Sequence, residues 1–222
     1  LKGEVIQPGR YTVGGDETIF DIIKKSGGLK ENAYLQGLVF TRIDEKEREK
    51  KSIERLTQEL KKSMAYAVQN QEASNAIDLS NIQAIRQLIL DAADYNPIGR
   101  VVGNFNDINI LKTTYLTGGD QIIIPKKPSS ISIVGEVMTP GSILWNNNKD
   151  IDSYINDAAG FTDLADKKKI FVLEPNGKAT RKSGLWNTSS LNNIKPGSTI
   201  VVPRKVALTS VLGRIASVTE VF

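Results

Sequence analysis

One feature constrains this chain more than any other: it carries the same pattern twice. Gly3-Glu4-Val5-Ile6-Gln7-Pro8-Gly9 recurs as Gly135-Glu136-Val137-Met138-Thr139-Pro140-Gly141, 132 residues later. Laid over 133–174 without a gap, residues 1–42 keep nine identities, at Gly3, Glu4, Val5, Pro8, Gly9, Ile19, Ile23, Gly28 and Ala33. Background frequencies predict about two or three. A second match joins Gly119 to Lys127 with Gly197 to Lys205 at an offset of 78. The first copy therefore holds an insertion of about 54 residues, and the second is the compact form.

Each copy has the same local logic. Strand-like residues run into a Pro-Gly turn, in which Pro presets φ and Gly relaxes it. A second short strand then makes a hairpin, Arg10 to Val13 in one copy and Ser142 to Trp145 in the other. A short helix follows from Thr18 to Lys25, capped by Asp16 or Thr18 and closed by Gly27-Gly28. Ile151, Tyr154, Ile155 and Ala158 repeat its apolar spacing. An apolar strand comes next, Leu38 to Thr41 or Ile170 to Leu173. A β-branched strand, Ile122 to Ile124 or Thr199 to Val202, ends at Pro125 or Pro203. The expected class is α+β: two β-grasp units, residues 1–130 and 131–205, each a small sheet curled over one helix.

The insertion, at about 43–98, reads as two helices. Residues 43–75 carry a narrow stripe of Ile53, Leu56, Leu60, Met64 and Ala67, with Asp44–Arg48 and Glu47–Lys51 pairs. Ser80-Asn81-Ile82-Gln83 is a capping box for a second helix, which Asn96-Pro97 ends. Arg100-Val101-Val102 then rejoins the sheet. Residues 206–222 form a third amphipathic helix that stops without a cap. The start, Leu1-Lys2-Gly3, is neither an initiator Met nor a secretion signal and points to a piece of a longer chain.

Composition narrows the function. With no His and no Cys among 222 residues, Ser–His and thiol catalysis and the usual zinc sites are excluded. No apolar run approaches the roughly 18 residues of a membrane span. The net charge of +4 comes with only 6% aromatics, so the short lysine runs, such as Lys167 to Lys169, read as solvated faces and not as a nucleic-acid surface. Asp163 with Asp166, or Glu4 with Glu136, are the available carboxylate pairs for glycan cleavage. Glu4 and Glu136 share one repeat position, which favours a fold role. The chain is not expected to be an enzyme or to hold a metal or cofactor.

The order G-E-V-x-x-P-G, a helix closed by small residues, an apolar strand and a P-[RK]-K stop resembles the soluble-ligand-binding β-grasp (SLBB) repeats of outer-membrane polysaccharide export proteins. The residues that carry it are Gly3, Glu4, Pro8, Gly9 and Gly28 in one copy and Gly135, Glu136, Pro140, Gly141 and Gly160 in the other. The inserted helices look more like the KpsD-type subgroup than the Wza type. The resemblance implies a periplasmic, outer-membrane-associated subunit of a Gram-negative bacterium. It would form a homo-oligomeric ring and pass a capsular polysaccharide or exopolysaccharide onward from an inner-membrane co-polymerase or exporter. The family's amino-terminal domain and lipoprotein cysteine would then lie upstream of Leu1. The alternative is a glycan-binding module, with Trp145 and Trp186 stacking on sugar rings and Asn146 and Asn147 bonding hydroxyls.

Overall fold

A computed structural model describes residues 1–69, 83, 86, 87, 89, 90, 92, 94–181 and 194–205, with backbone only for 67–69. The fold is α+β, with two β-grasp-like units. One comprises Leu1–Glu31 with Leu38–Ile124; the other comprises Asn32–Gly37 with the chain from Pro125 onward.

In the first unit, β1 (Lys2–Gly3), β2 (Val39–Thr41), β3 (Arg100–Val101) and β4 (Gln121–Ile124) form a sheet in the order β1-β4-β2-β3. In the second, β5 (Ser130–Gly135), β6 (Gly141–Leu144), β7 (Phe171–Leu173), β8 (Ala179–Arg181) and β9 (Thr199–Val202) are ordered β6-β5-β9-β7-β8. Apart from β6 the two orders are the same, and the central β1–β4 and β5–β9 pairs are both parallel. The first unit's helices are α1 (Ile19–Lys25), α2 (Ile43–Gln69) and α3 (Ile108–Thr113); the second's is α4 (Ile151–Asp157).

The match extends to single bonds. α1 starts at Thr18, whose hydroxyl accepts from the Asp21 amide while the Asp21 carboxylate accepts from the Thr18 amide. The Asp150 carboxylate caps α4 from the equivalent position. Such caps hold a seven-residue helix that has too few internal bonds to persist alone. Ile19, Ile22 and Ile23 are buried in one unit and Ile151, Tyr154 and Ile155 in the other. Beneath them lie Leu38, Phe40, Ile122 and Ile124, or Ile170, Val172, Ile200 and Val202. Each such side chain contributes roughly 1.5–3 kcal/mol by leaving water.

Three sequence expectations change. Residues 10–13 form no strand. The rung corresponding to Ile133–Gly141 survives, because the Leu1 terminal ammonium donates to Gly9 O at 2.9 Å and the Gly9 amide donates to Leu1 O at 3.0 Å. The next partners would fall upstream of Leu1, so the ladder cannot extend within this sequence. Leu56 is half exposed, since the stripe that packs on α2 runs through Ile53, Thr57, Leu60 and Met64, and Leu56 lies about 60° away from it. Arg48 pairs with Glu45 at 2.8 Å and not with Asp44. Residues 70–75, the Ser80 capping box and the helix at 206–222 lie outside the described residues. Gln83, Arg86, Gln87, Ile89, Leu90, Ala92 and Asp94 are helical.

The place of the insertion is well defined. In the second unit, β7 and β8 are joined by a tight turn, Pro175-Asn176-Gly177, closed by Glu174 N–H donating to Lys178 O at 2.8 Å. In the first, Arg42 N–H donates to Gly99 O at 2.9 Å, one rung beyond the Thr41–Arg100 pair. Residues 43–98 thus stand where three turn residues stand in the other copy. The base of the insertion is pinned by Arg42. Its guanidinium reaches Asp120 at 2.8 and 3.0 Å and the Tyr115 carbonyl at 2.7 Å.

Tyr34 shows how the second unit is sealed. Its amide donates to Pro125 O at 2.9 Å, and its hydroxyl donates to Gln36 Oε1 at 3.0 Å. Burial first, and then the charge of Glu174, push the phenol up to about 12. An unfolded tyrosine titrates near pH 10, so this stabilisation is complete below about pH 10 and is lost as pH rises toward 12. Thermal melts should therefore fall more steeply over that window in the native protein than in Tyr34→Phe. Parallel curves would remove Tyr34 as the cause.

Candidate functional site

Alternation along β6 sets the candidate contact residues. Ile143 and Trp145 turn inward and pack half-buried against the second unit's core, while Leu144 between them is exposed. The Trp145 indole N–H donates to Ile194 O at 2.6 Å, and the Lys127 ammonium stands 5.4 Å from the ring centroid. Asn146 closes the following turn: its side-chain oxygen accepts from the Asn148 amide at 2.9 Å. Its backbone holds the Tyr154 hydroxyl, with bonds of 2.7 Å from its amide and 3.0 Å to its carbonyl. Asn147 is exposed. Lys149 lies 5.9 Å from the Tyr154 ring and pairs with Asp157 at 2.5 Å. Trp145, Asn146 and Asn147 are thus brought together beside two lysines; Trp186 lies outside the described residues.

This cluster offers an aromatic face, two ammonium groups and turn amides, and among its side chains there is no nucleophile with a base. Two of the carboxylates considered for catalysis, Glu136 and Asp166, are held by neighbouring side chains and turn amides. Glu136 accepts from the Thr162 hydroxyl at 2.6 Å and lies 3.8 Å from Arg204. Asp166 accepts from the Lys168 amide at 3.1 Å and lies 3.5 Å from Lys169. Among the described residues no group of three acidic side chains is placed to hold a metal ion, and no helix is long and apolar enough to cross a membrane.

The residues shared by the repeats sit at the sheet ends. Gly3 and Gly135 both have φ near +90°, with the carbonyls of Ile124 and Val202 directly against them. Pro8-Gly9 and Pro140-Gly141 lie in the turns that follow, and Gly28 and Gly160 close the helices by donating to Ile23 O and Ile155 O.

Two hollows escape sequence reasoning, because each is formed by segments far apart in the chain. One, of about 530 Å³, is lined by Lys2, Arg10, Tyr11, Val13, Leu116 and Asp120, among others. In the second unit the counterparts of Val13 and Leu116 are Trp145 and Ile194, which touch; an indole plugs there what the first unit leaves open. The other, of about 630 Å³, lies between α2 and Ala92–Pro97. Near it the Tyr95 hydroxyl donates to Glu49 at 2.6 Å.

Comparison with known proteins agrees with this architecture. Residues 1–51 match the SLBB domain family, and residues 139–212 match the family described as capsule biosynthesis GfcC C-terminal. Two curated relatives, both polysialic acid transport protein KpsD of Escherichia coli, are 26% identical over 156 residues, which is 70% of this chain. The chain spans about a quarter of the length of these relatives (26%). It is thus a Wza/KpsD-like sequence, similar to polysaccharide-export proteins and carrying an SLBB domain in its first repeat.

Proposed function

We infer that this chain is part of a capsular polysaccharide export subunit that works in the periplasm and at the outer membrane, as a ring-forming conduit without chemistry of its own. The observation that carries this reading is the tandem β-grasp-like duplication, in a sequence similar over 70% of its length to a polysaccharide transport protein. Repeated units in which Glu136 and Asp166 are taken up by neighbouring hydroxyl and amide groups suit a wall better than a reaction centre. The partners are further copies of the protein, an inner-membrane co-polymerase or exporter, and the polysaccharide. Deleting the gene should abolish surface polysaccharide, and the intact protein in detergent should have the mass of a closed oligomer. A monomer, together with unchanged surface polysaccharide, would overturn the proposal.

A second reading, glycan contact at Trp145, Asn146 and Asn147, is favoured by the half-exposed indole with the Lys127 ammonium 5.4 Å from its ring centroid. Calorimetry with capsule oligosaccharides checks it: heat that disappears in Trp145→Ala supports it, and no heat at millimolar ligand removes it.

A further inference from the structure

The end of the second unit where the Gly135–Gly141 turn meets the residues around 160–169 carries a surface that the conduit reading does not use. Met138 is bonded through its amide to Gly160 O, and Val137 pairs with Phe161. The Lys167 ammonium stands 4.8 Å from the Phe161 ring. The Lys205 amide donates to Leu164 O at 2.7 Å, and its ammonium lies 3.4 Å from the Asp163 carbonyl. Ala165 pairs with Arg204, which in turn lies near Glu136. These contacts place Met138, Phe161 and Leu164 on one lip with Lys167, Lys168, Lys169, Arg204 and Lys205. Met138 is 62% and Leu164 45% exposed, and the Arg204 side chain is 63% exposed. Three acids, Glu136, Asp163 and Asp166, lie among the five cations.

We propose that this lip docks onto an anionic phospholipid surface. Exposed apolar side chains set among cations match a membrane interface, where headgroup charge and the acyl boundary take both at once. A hydrated acidic glycan would engage the cations and leave Met138 and Leu164 bare. The other copy provides a contrast. Its corresponding turn is Leu35-Gln36-Gly37, without charge. The two turns close with matching bonds of 3.1 Å, Gly37 N–H to Tyr34 O and Lys169 N–H to Asp166 O. The three lysines are therefore not needed to form the turn.

The test is co-sedimentation of the full chain with vesicles of phosphatidylethanolamine and phosphatidylglycerol, against vesicles of phosphatidylcholine, at about 0.05 M and about 0.5 M salt. Binding should require the anionic lipid and fall at high salt. Lys167→Gln/Lys168→Gln/Lys169→Gln should lower the partition about tenfold or more with an unchanged circular dichroism spectrum. Lys50→Gln/Lys51→Gln, on the exposed side of α2, should bind like the native chain. Met138→Ser/Leu164→Ser should weaken the binding that survives high salt. Equal binding by the triple variant overturns the proposal, as does absence of binding. Charge-dependent capture of polygalacturonate without vesicle binding overturns it in favour of an acidic glycan. The inference rests on the envelope location proposed above, and the two fail separately. Lost vesicle binding with export still dependent on the gene removes only the lip.

Discussion

Gly135→Ala should cost the second unit about 4 kcal/mol, a large share of the stability of a small domain. Gly135 ends β5 at φ +93°, and a Cβ built there would lie 2.1 Å from the Val202 carbonyl oxygen. That oxygen is itself bonded to the Glu136 amide at 2.9 Å, so it cannot retreat without opening the central parallel pair. Strained backbone alone accounts for about 1–3 kcal/mol; the collision with fixed main chain adds the rest. Gly160 provides the control. It has φ +86° but nothing within 4 Å of a built Cβ, so Gly160→Ala should cost only about 1–2 kcal/mol. Ala159 already adopts φ 61° beside it, which shows that this turn accepts a side chain in left-handed backbone. Urea unfolding of the two variants, followed by the fluorescence of Trp145 and Trp186 together, compares them directly. If Gly135→Ala costs no more than Gly160→Ala, the close approach is not what the motif's glycine serves. Gly3→Ala in the first unit should behave like Gly135→Ala, since its built Cβ meets Ile124 O at 2.0 Å.

Replacing residues 43–98 with Pro-Asn-Gly should leave the first unit folded and abolish export. The closing rung, Arg42 to Gly99, is the counterpart of Glu174 to Lys178, and the Arg42–Asp120 pair stays in place. A shorter loop lowers the closure entropy by only a few times 0.6 kcal/mol. The buried Leu60 belongs to the insertion, whereas Phe40, Ile122 and Ile124 belong to the sheet core. The first unit should therefore keep its stability to within about 3 kcal/mol, read from hydrogen exchange of the β2 and β4 amides. Loss of surface polysaccharide in cells carrying the graft, with the amides still protected, would assign the export-specific contacts to the insertion. Normal export would make it a dispensable ornament, and loss of amide protection would make it part of the unit's core.

The sequence pattern revealed what depends on local chemistry. Two α+β units, a cap at one of Asp16 and Thr18, the turn residues and the apolar strands follow from spacing and duplication; the cap at Asp150 emerges only in the structure. The β6 hairpin forms at Ser142 onward, yet Arg10 to Val13 stays irregular, because strand propensity needs a partner and periodicity cannot supply one. α3 was not legible: six residues with one buried apolar position, Leu111, give too short a period. The β7–β8 hairpin was not read from the sequence, although Asn176-Gly177 is a hairpin-turn pair; its meaning emerges only from its counterpart, residues 43–98. Of the candidate contacts, the sequence could place Trp145 on a strand. That its N–H is spent on Ile194 O, 49 residues on, depends on tertiary pairing. The lip was visible only as a run of three lysines; Met138, Arg204 and Lys205 join it through the sheet.

The compact units do not follow the order of the chain. Asn32–Gly37 comes from the first copy in sequence but belongs to the second compact unit, where Ala33 pairs with Lys126 and the Lys127 amide donates to Asn32 O. During synthesis this piece leaves the ribosome some ninety residues before its partners do. At about 5–20 residues per second it waits several seconds for them. The second compact unit therefore takes in chain from both sides of Leu38–Ile124, and no single cut divides the two units. A cut before Pro125 would part Tyr34 and Asn32 from the Pro125 carbonyl and the Lys127 amide that they bond, so any dissection of this protein should keep 32–37 and 125–127 on one chain.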